Sequence, residues 1–527
     1  MLEYRHLYLS CFKQEDFLFR KIKMRIILTS LVLFAASTAS YAEKSEPVQG
    51  QLENGLRYTL LPLHAEKGRI EIRMKVNAGA IDETDTQLGA TNVLKHLVLR
   101  GTKAHPNGLT PYLNEQKWKP ENNYRIESGY DHTTYHMIPP STSNLDKSLY
   151  LLEQMLFQAK LTQEDLDDER KHILEEWRQA QSVGRLMNQK RIAAVRTDSR
   201  YADRAIIGTA ENIQNLPATQ LQQFYQTWYT PNNMQLLVVG DIEPEAAQQQ
   251  IQQRFSSFTA KEMPKRDYLE PKLSEGLAIN KLQDARSSVS QVAYIFRFDE
   301  MKHRVRTNEA RYERLIDRLA LALLSQRLQD QSAALPKGVS AITVRKSDIG
   351  RNTAALGWFA TVASTQHELG LKQIFSEIEH LKGSPITEEE LTKQKEAVQI
   401  QIENAKKDEN DRDFQQWLQI MSESVLADKP YLTQKKLAEL LEPMLKKVSA
   451  KEVNERIQQW IGSKDRLINY QPPRKVQIKP ITLETVNKLQ AEAEQTELAK
   501  TEAEKTEVEK AEVEKTEATQ PATEKNP

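Results

Sequence analysis

The chain has 527 residues, 39% hydrophobic and 28% charged, which is enough apolar material for more than one core, since single cores stop growing beyond roughly 250 to 300 residues. Lysine plus arginine equals aspartate plus glutamate, 73 against 73, so net charge gives no reason to expect nucleic acid or an acidic membrane surface as partner. The sequence contains no phosphate-cradling glycine loop, G-x-S-x-G elbow or C-x-x-C pair, which sets aside the commonest signatures of nucleotide, serine-hydrolase and dithiol chemistry.

At the N-terminus, Arg20, Lys21, Lys23 and Arg25 precede an apolar run, Ile26 to Ala36, followed by Ser40-Tyr41-Ala42. Basic residues, a short apolar stretch and a small-x-small site read as a signal peptide over residues 1–42, with Met24 the more ordinary start and cleavage near Ala42. The run is too short to span a bilayer; a retained membrane-anchoring helix is the alternative. The processed chain is expected to be periplasmic or secreted, with no integral membrane segment. Cys11 lies ahead of the cleavage site, so the mature chain has no disulfide and no cysteine for a lipid anchor, and its core must stabilise it.

From residue 43 the pattern is mixed α and β. Asn54-Gly55 marks a turn, and Ile70, Ile72, Met74 and Val76 alternate with polar residues as in a half-buried strand. Tyr130 to Ile138 predicts another strand, and Leu145 to Ala159 a helix with Leu149, Leu152 and Leu156 on one face. Thr162-x-x-Asp165 looks like a capping box opening a long helix that contains Glu175 and Glu176. Met234 to Val239 is a continuous apolar run, predicting a buried strand. A Pro- and charge-rich stretch from Ala260 to Gly276 separates a second region that restarts with a strand, Val289 to Phe298, and repeats the element order. Near the C-terminus, Glu504-Lys505, Glu509-Lys510 and Glu514-Lys515 recur with a period of five. That period never gathers the few apolar residues into a stripe, so the tail is expected to be solvated, as disordered chain or a lone charged helix, with a docking role as the alternative.

The stretch Gly89 to Thr102, G-A-T-N-V-L-K-H-L-V-L-R-G-T, resembles the active-site helix of the pitrilysin/insulinase family of zinc metallopeptidases, the inverzincins. Further matches run in family order: N-G-L-R-Y from Asn54, V-N-A-G-A ending at Ala80, D-H-T-T-Y-H from Asp131, I-G-T from Ile207, and F-Y-Q-T-W-Y-T-P-N-N-M from Phe224 on to V-V-G-D at Asp241. The resemblance implies two consecutive homologous α/β-roll domains, each an antiparallel or mixed sheet flanked by helices. The chain would be a short-subunit member like those of mitochondrial processing peptidase, or the N-terminal half of a long one. The expected divisions are a peptidase-like domain over 43–260, a linker over 261–280, a second domain over 281–475 and a charged tail over 476–527.

In the family, H-x-x-E-H sets two zinc-binding histidines on one helical face and a glutamate base beside the second. Here those positions hold Asn92, Lys95 and His96, so the pattern reads N-x-x-K-H. The family's third ligand lies in a stretch like E-R-x-V-I-L-x-E, which aligns Glu176 with the ligand. The degenerate ligand positions are thus Asn92, His96 and Glu176, and the degenerate base position is Lys95. An ammonium has no lone pair to accept a proton, and Lys95 is expected to replace the zinc charge by pairing with Glu176. The family's N-A-x-T strand, which pairs with substrate backbone, aligns with Arg125, Ile126, Glu127 and Ser128, whose bulk and charge imply altered docking. The family's arginine-tyrosine pair would fall near Ala333 and Ser340, which lack that chemistry; short members can divide this function between subunits. His132 with His136, or His172 one turn before Glu176, are the alternative metal donors.

The leading expectation is a non-catalytic, cofactor-free homologue of a periplasmic metallopeptidase. It would bind peptides or complete the chamber of an active relative, as a hetero-oligomer or a homodimer. The alternative is an active metalloendopeptidase that holds zinc with unorthodox ligands, and a third reading is a structural envelope protein in which the tail is the working part.

Overall fold

A computed structural model describes residues 46–141, 143–407, 412–427 and 431–517. The expected signal peptide and the end of the charged tail lie outside the described residues.

The first sheet contains β1 (Val48–Gln51), β2 (Arg57–Pro62), β3 (Ile70–Val76), β4 (Tyr124–Ser128), β5 (Thr133–Met137) and β6 (Met234–Gly240), in the order β1-β2-β6-β3-β5-β4. The second contains β7 (Gly276–Lys281), β8 (Gln291–Asp299), β9 (Val339–Asp348), β10 (Thr353–Val362) and β11 (Asp465–Gln471), in the order β7-β11-β8-β10-β9. With β2, β6, β3, β5 and β4 set against β7, β11, β8, β10 and β9, the order is the same. The directions match as well: β2 with β6 and β7 with β11 are parallel, and the other neighbours are antiparallel. The chain is therefore a tandem repeat of one α/β roll, the first copy carrying the additional edge strand β1.

Why β6 is apolar throughout follows from where its two faces go. Leu236 and Val238 enter the first main core, while Leu237 and Val239 face the other way into a second cluster. That second cluster is closed by Phe414, Trp417, Leu418, Met421 and Val425, one stripe of the Phe414–Val425 helix, which belongs to the second domain. The exchange is mutual. Ala293, Ile295, Ala355 and Leu467 on the back of the second sheet pack against Val195, at the end of the Val183–Val195 helix of the first domain. Polar contacts follow the same seams: Arg73 donates to Ser422 Oγ at 2.7 Å, Arg191 donates to Gln471 Oε1 at 3.1 Å, and the Arg69 guanidinium lies 3.9 Å from the Phe414 ring centroid.

Two expected boundaries shift. The 261–280 stretch is not a free tether: Arg266 Nε lies 2.8 Å from Asp82 Oδ1, Tyr268 Oη donates to the same oxygen at 2.7 Å, and β7 begins at Gly276. Nor is the chain from 476 onward wholly solvated. The Leu483–Glu517 helix buries Val486, Leu489 and Ala493 in the second core and pairs Glu492 with Lys372 and Glu497 with His380 on the His367–Gly383 helix. Those apolar residues stand at helical spacing before the five-residue repeat begins, so the fold continues into the expected tail.

Candidate functional site

The N-x-x-K-H pattern lies on the Ala90–Leu97 helix. Ala90, Val93, Leu94 and Leu97 form its core face, which turns Asn92, Lys95 and His96 to the opposite side. Gly89 begins this helix with φ 87° and backs onto Gly208, where an added Cβ would lie 3.0 Å from the Gly89 Cα. Gly89 and the I-G-T segment from Ile207 are therefore two halves of one backbone contact. The buried Glu83 carboxylate accepts from the Gly89 and Thr91 amides at 2.7 and 2.8 Å, supplying the cap that Gly89 cannot. Burial pushes the Glu83 acid up to about 7 against the opposing pull of those amide bonds.

Glu176 comes from the Gln163–Gln179 helix, which Thr162 caps by accepting from the Asp165 amide. Lys95 Nζ donates to Glu176 Oε1 at 2.6 Å, and His96 Nε2 meets Glu176 Oε2 at 2.8 Å. His96 Nδ1 lies 3.4 Å from Glu169 Oε1, and Arg100 Nε donates to Glu169 Oε2 at 2.8 Å. Burial would lower the His96 pKa, but the two carboxylates outweigh it and raise it. Burial likewise opposes ionisation of Glu176, yet the hydrogen bonds and charges of His96 and Lys95 hold it at about 2.

Asn92 is 2% exposed, and its Nδ2 has no hydrogen-bond partner among the described residues. It lines a cavity of about 460 Å³ together with Lys95, Glu176, His132, Arg185 and the Ile126–Ser128 part of β4. Strand β4 pairs with β5 on one side only and forms the sheet edge. Along it Ile126 and Ser128 are half-buried, whereas Arg125 and Glu127 are exposed and paired to each other at 2.9 Å. His136 is held by Glu127 at 2.9 Å, while His132 lines the cavity, so the two histidines have different surroundings. His172 is exposed, and Glu175 is exposed and bonded to Arg178 and Gln179, so neither enters the site. Glu169, Arg100 and Glu83 support the site without belonging to the sequence motif. Glu169 stands seven residues before Glu176, two helical turns along the same face, and that spacing was a usable signal.

A catalytic zinc of this type needs three protein ligands and an open position for water. His96 and Glu176 offer suitable donors, Asn92 offers only a neutral amide, and Lys95 places an ammonium on Glu176 itself. This donor set does not fit a catalytic zinc.

The family description "Insulinase (Peptidase family M16)" matches residues 60–209, and "Peptidase M16 inactive domain" matches residues 215–398. The chain belongs to the pitrilysin/insulinase family. It is 24% identical over 474 residues to the probable zinc protease PqqL of Escherichia coli, covering 88% of this chain and 51% of that protein. The crystal structure of a mutant of the ferredoxin protease FusC in complex with Arabidopsis ferredoxin superposes with a TM-score of 0.82 at 36% identity, over 86% of this chain and 50% of that one. The structure of the first half of PqqL, at 24% identity and a TM-score of 0.76, matches over 86% of this chain and 97% of that one. The chain thus spans about half the length of these full-length relatives.

Proposed function

We propose that this chain is a non-catalytic, zinc-free, peptide-binding homologue of the periplasmic metallopeptidases, acting with an active relative that supplies the chemistry. The observation that carries the reading is the Lys95–Glu176 contact at 2.6 Å: the carboxylate aligned with the metal ligand is engaged by a cation from the position of the lost base. An extended peptide can add to the free edge of β4, with backbone hydrogen bonds supplying affinity and the adjoining cavity reading side chains. That cavity presents Asn92 Nδ2 and Lys95 as donors for a carbonyl or carboxylate of the bound chain. The partner in that reading is an active relative or another copy of this chain. A periplasmic location is supported by the similar Escherichia coli protein, described as a periplasmic protease, and by the leader-like N-terminus. No helix among the described residues is long and apolar enough to cross a membrane.

The deciding measurement is the metal content of the purified full chain after dialysis against zinc, beside the double variant N92H/K95E, which rebuilds H-x-x-E-H. The wild type is expected to hold almost no zinc and the variant about one ion per chain. Stoichiometric zinc in the wild type, with chelator-sensitive peptide cleavage lost in Glu176→Gln, would overturn the proposal in favour of a peptidase with unorthodox ligands.

A further inference from the structure

A second and larger cavity, of about 1000 Å³, opens at the seam between the two domains. Its lining carries eight lysine and arginine side chains against three carboxylates, a local excess in a chain whose total charges balance. All three acids are already engaged: Glu423 accepts from Gln419 Nε2 at 2.9 Å. Asp131 accepts from Tyr201 Oη at 2.6 Å and lies 3.7 Å from Arg351, and Asp348 accepts from Arg304 at 2.5 Å.

Three of the cations have no carboxylate within ion-pair distance among the described residues. Arg311 donates to the Asn308 side chain, Arg314 donates to the backbone carbonyls of His303 and Val305, and Arg306 is exposed. The Arg314 pKa is lowered, by burial first and then by repulsion from Arg311 and Arg304, against a weaker pull from Asp317. Guanidinium groups held together in this way gain most from a carboxylate partner, which they can bind in bidentate fashion. His132 lines both this cavity and the smaller one beside Lys95 and β4, so the two are adjoining parts of one surface.

We propose that the seam cavity is a recognition subsite for acidic side chains of an extended polypeptide whose neighbouring residues lie along β4. The inference rests on the peptide-binding reading above and deepens it: the preferred ligand class is an acidic polypeptide. Charge complementarity of this kind sets specificity and encounter rate and weakens as salt screens it.

The test is fluorescence anisotropy of the full chain with two labelled extended peptides, identical except that the glutamates of one are glutamines in the other. At low ionic strength the glutamate peptide should bind about tenfold more tightly, and the gap should narrow as salt is raised. The variant R306Q/R351Q removes two exposed cations that support no core contact. It should shrink the gap by about threefold or more while leaving the glutamine peptide's affinity unchanged. Equal affinities for the two peptides, or a gap that R306Q/R351Q leaves intact, would overturn the assignment and leave peptide binding standing. If neither peptide binds, the peptide-binding reading itself fails and this one with it.

Discussion

In the first domain the helix after β3 is eight residues long and its polar face borders a cavity; in the second, the long helix after β8, Asn308–Asp330, has 23 residues and packs against the core along its length. Both domains nevertheless set a lysine among a histidine and carboxylates. Lys95 joins Glu176 beside His96, and Lys346 joins Glu300 and lies 3.3 Å from Asp317, which in turn lies 3.3 Å from His303. The second cluster is closed over by Arg456, which pairs with Asp317 and Glu313. The carboxylates of the second cluster are the more deeply buried, Glu300 at 3% and Asp317 at 9% exposed against 37% for Glu176, although His303 also lines the seam cavity. The two domains differ in how far these carboxylates are withdrawn from solvent.

Breaking a buried pair of the second domain should cost most. Arg297 and Asp465 are 1% and 3% exposed and form a bidentate pair at 2.7 and 2.8 Å, and Arg297 also donates to the Val195 carbonyl of the first domain at 3.2 Å. Arg297→Ala strands a buried carboxylate and should lower stability by about 3–5 kcal/mol, read from urea unfolding. A loss below about 1 kcal/mol would show that the two domains are not held to different standards of charge pairing.

An intermediate effect is expected at the cap of the short helix. Glu83 titrates near 7 in the folded chain against 4.5 for the unfolded group, so the folded state holds the proton more tightly. Stability should then fall as pH rises from about 4.5 to about 7. Glu83→Gln should flatten that slope at a cost of about 1 kcal/mol for the weakened cap, checked by thermal melts across the range. A slope unchanged in the variant would place its origin elsewhere.

The smallest effect belongs to the open pair itself. The Glu176 side chain is 37% exposed, so solvent screens its contact with Lys95, and Lys95→Ala should cost only about 0.5–1 kcal/mol. The depressed Glu176 pKa makes its contribution present above about 4.5 and lost as pH falls toward about 2. Lys95→Ala should reduce that acid-side loss. An unaltered melting temperature at every pH would remove the idea that the ammonium stands in for the metal charge.

Much of the first domain was legible as pattern. The alternation of Ile70 to Val76 became β3, the apolar run at Met234 became the central strand β6, and the Thr162 cap opened the helix that carries Glu176. The contact of Lys95 with Glu176 was expected from the family resemblance, which aligns the two residues with positions that meet in the family's site. The stripe Phe414, Trp417, Leu418, Met421 and Val425 could be read as amphipathic, but its target could not: nothing local says that a helix of one domain will cover the sheet of the other.

Sequence alone determined which elements form, since helical and strand periodicity are local properties; the roles expected at Asn92 and Lys95 came from the family resemblance. Tertiary structure decided the reciprocal covering helices, the Glu83 cap, the docking of Val486, Leu489 and Ala493, and the gathering of arginines at the domain seam. Each of these depends on which distant surface is complementary in shape and charge, and a one-dimensional period carries no record of that.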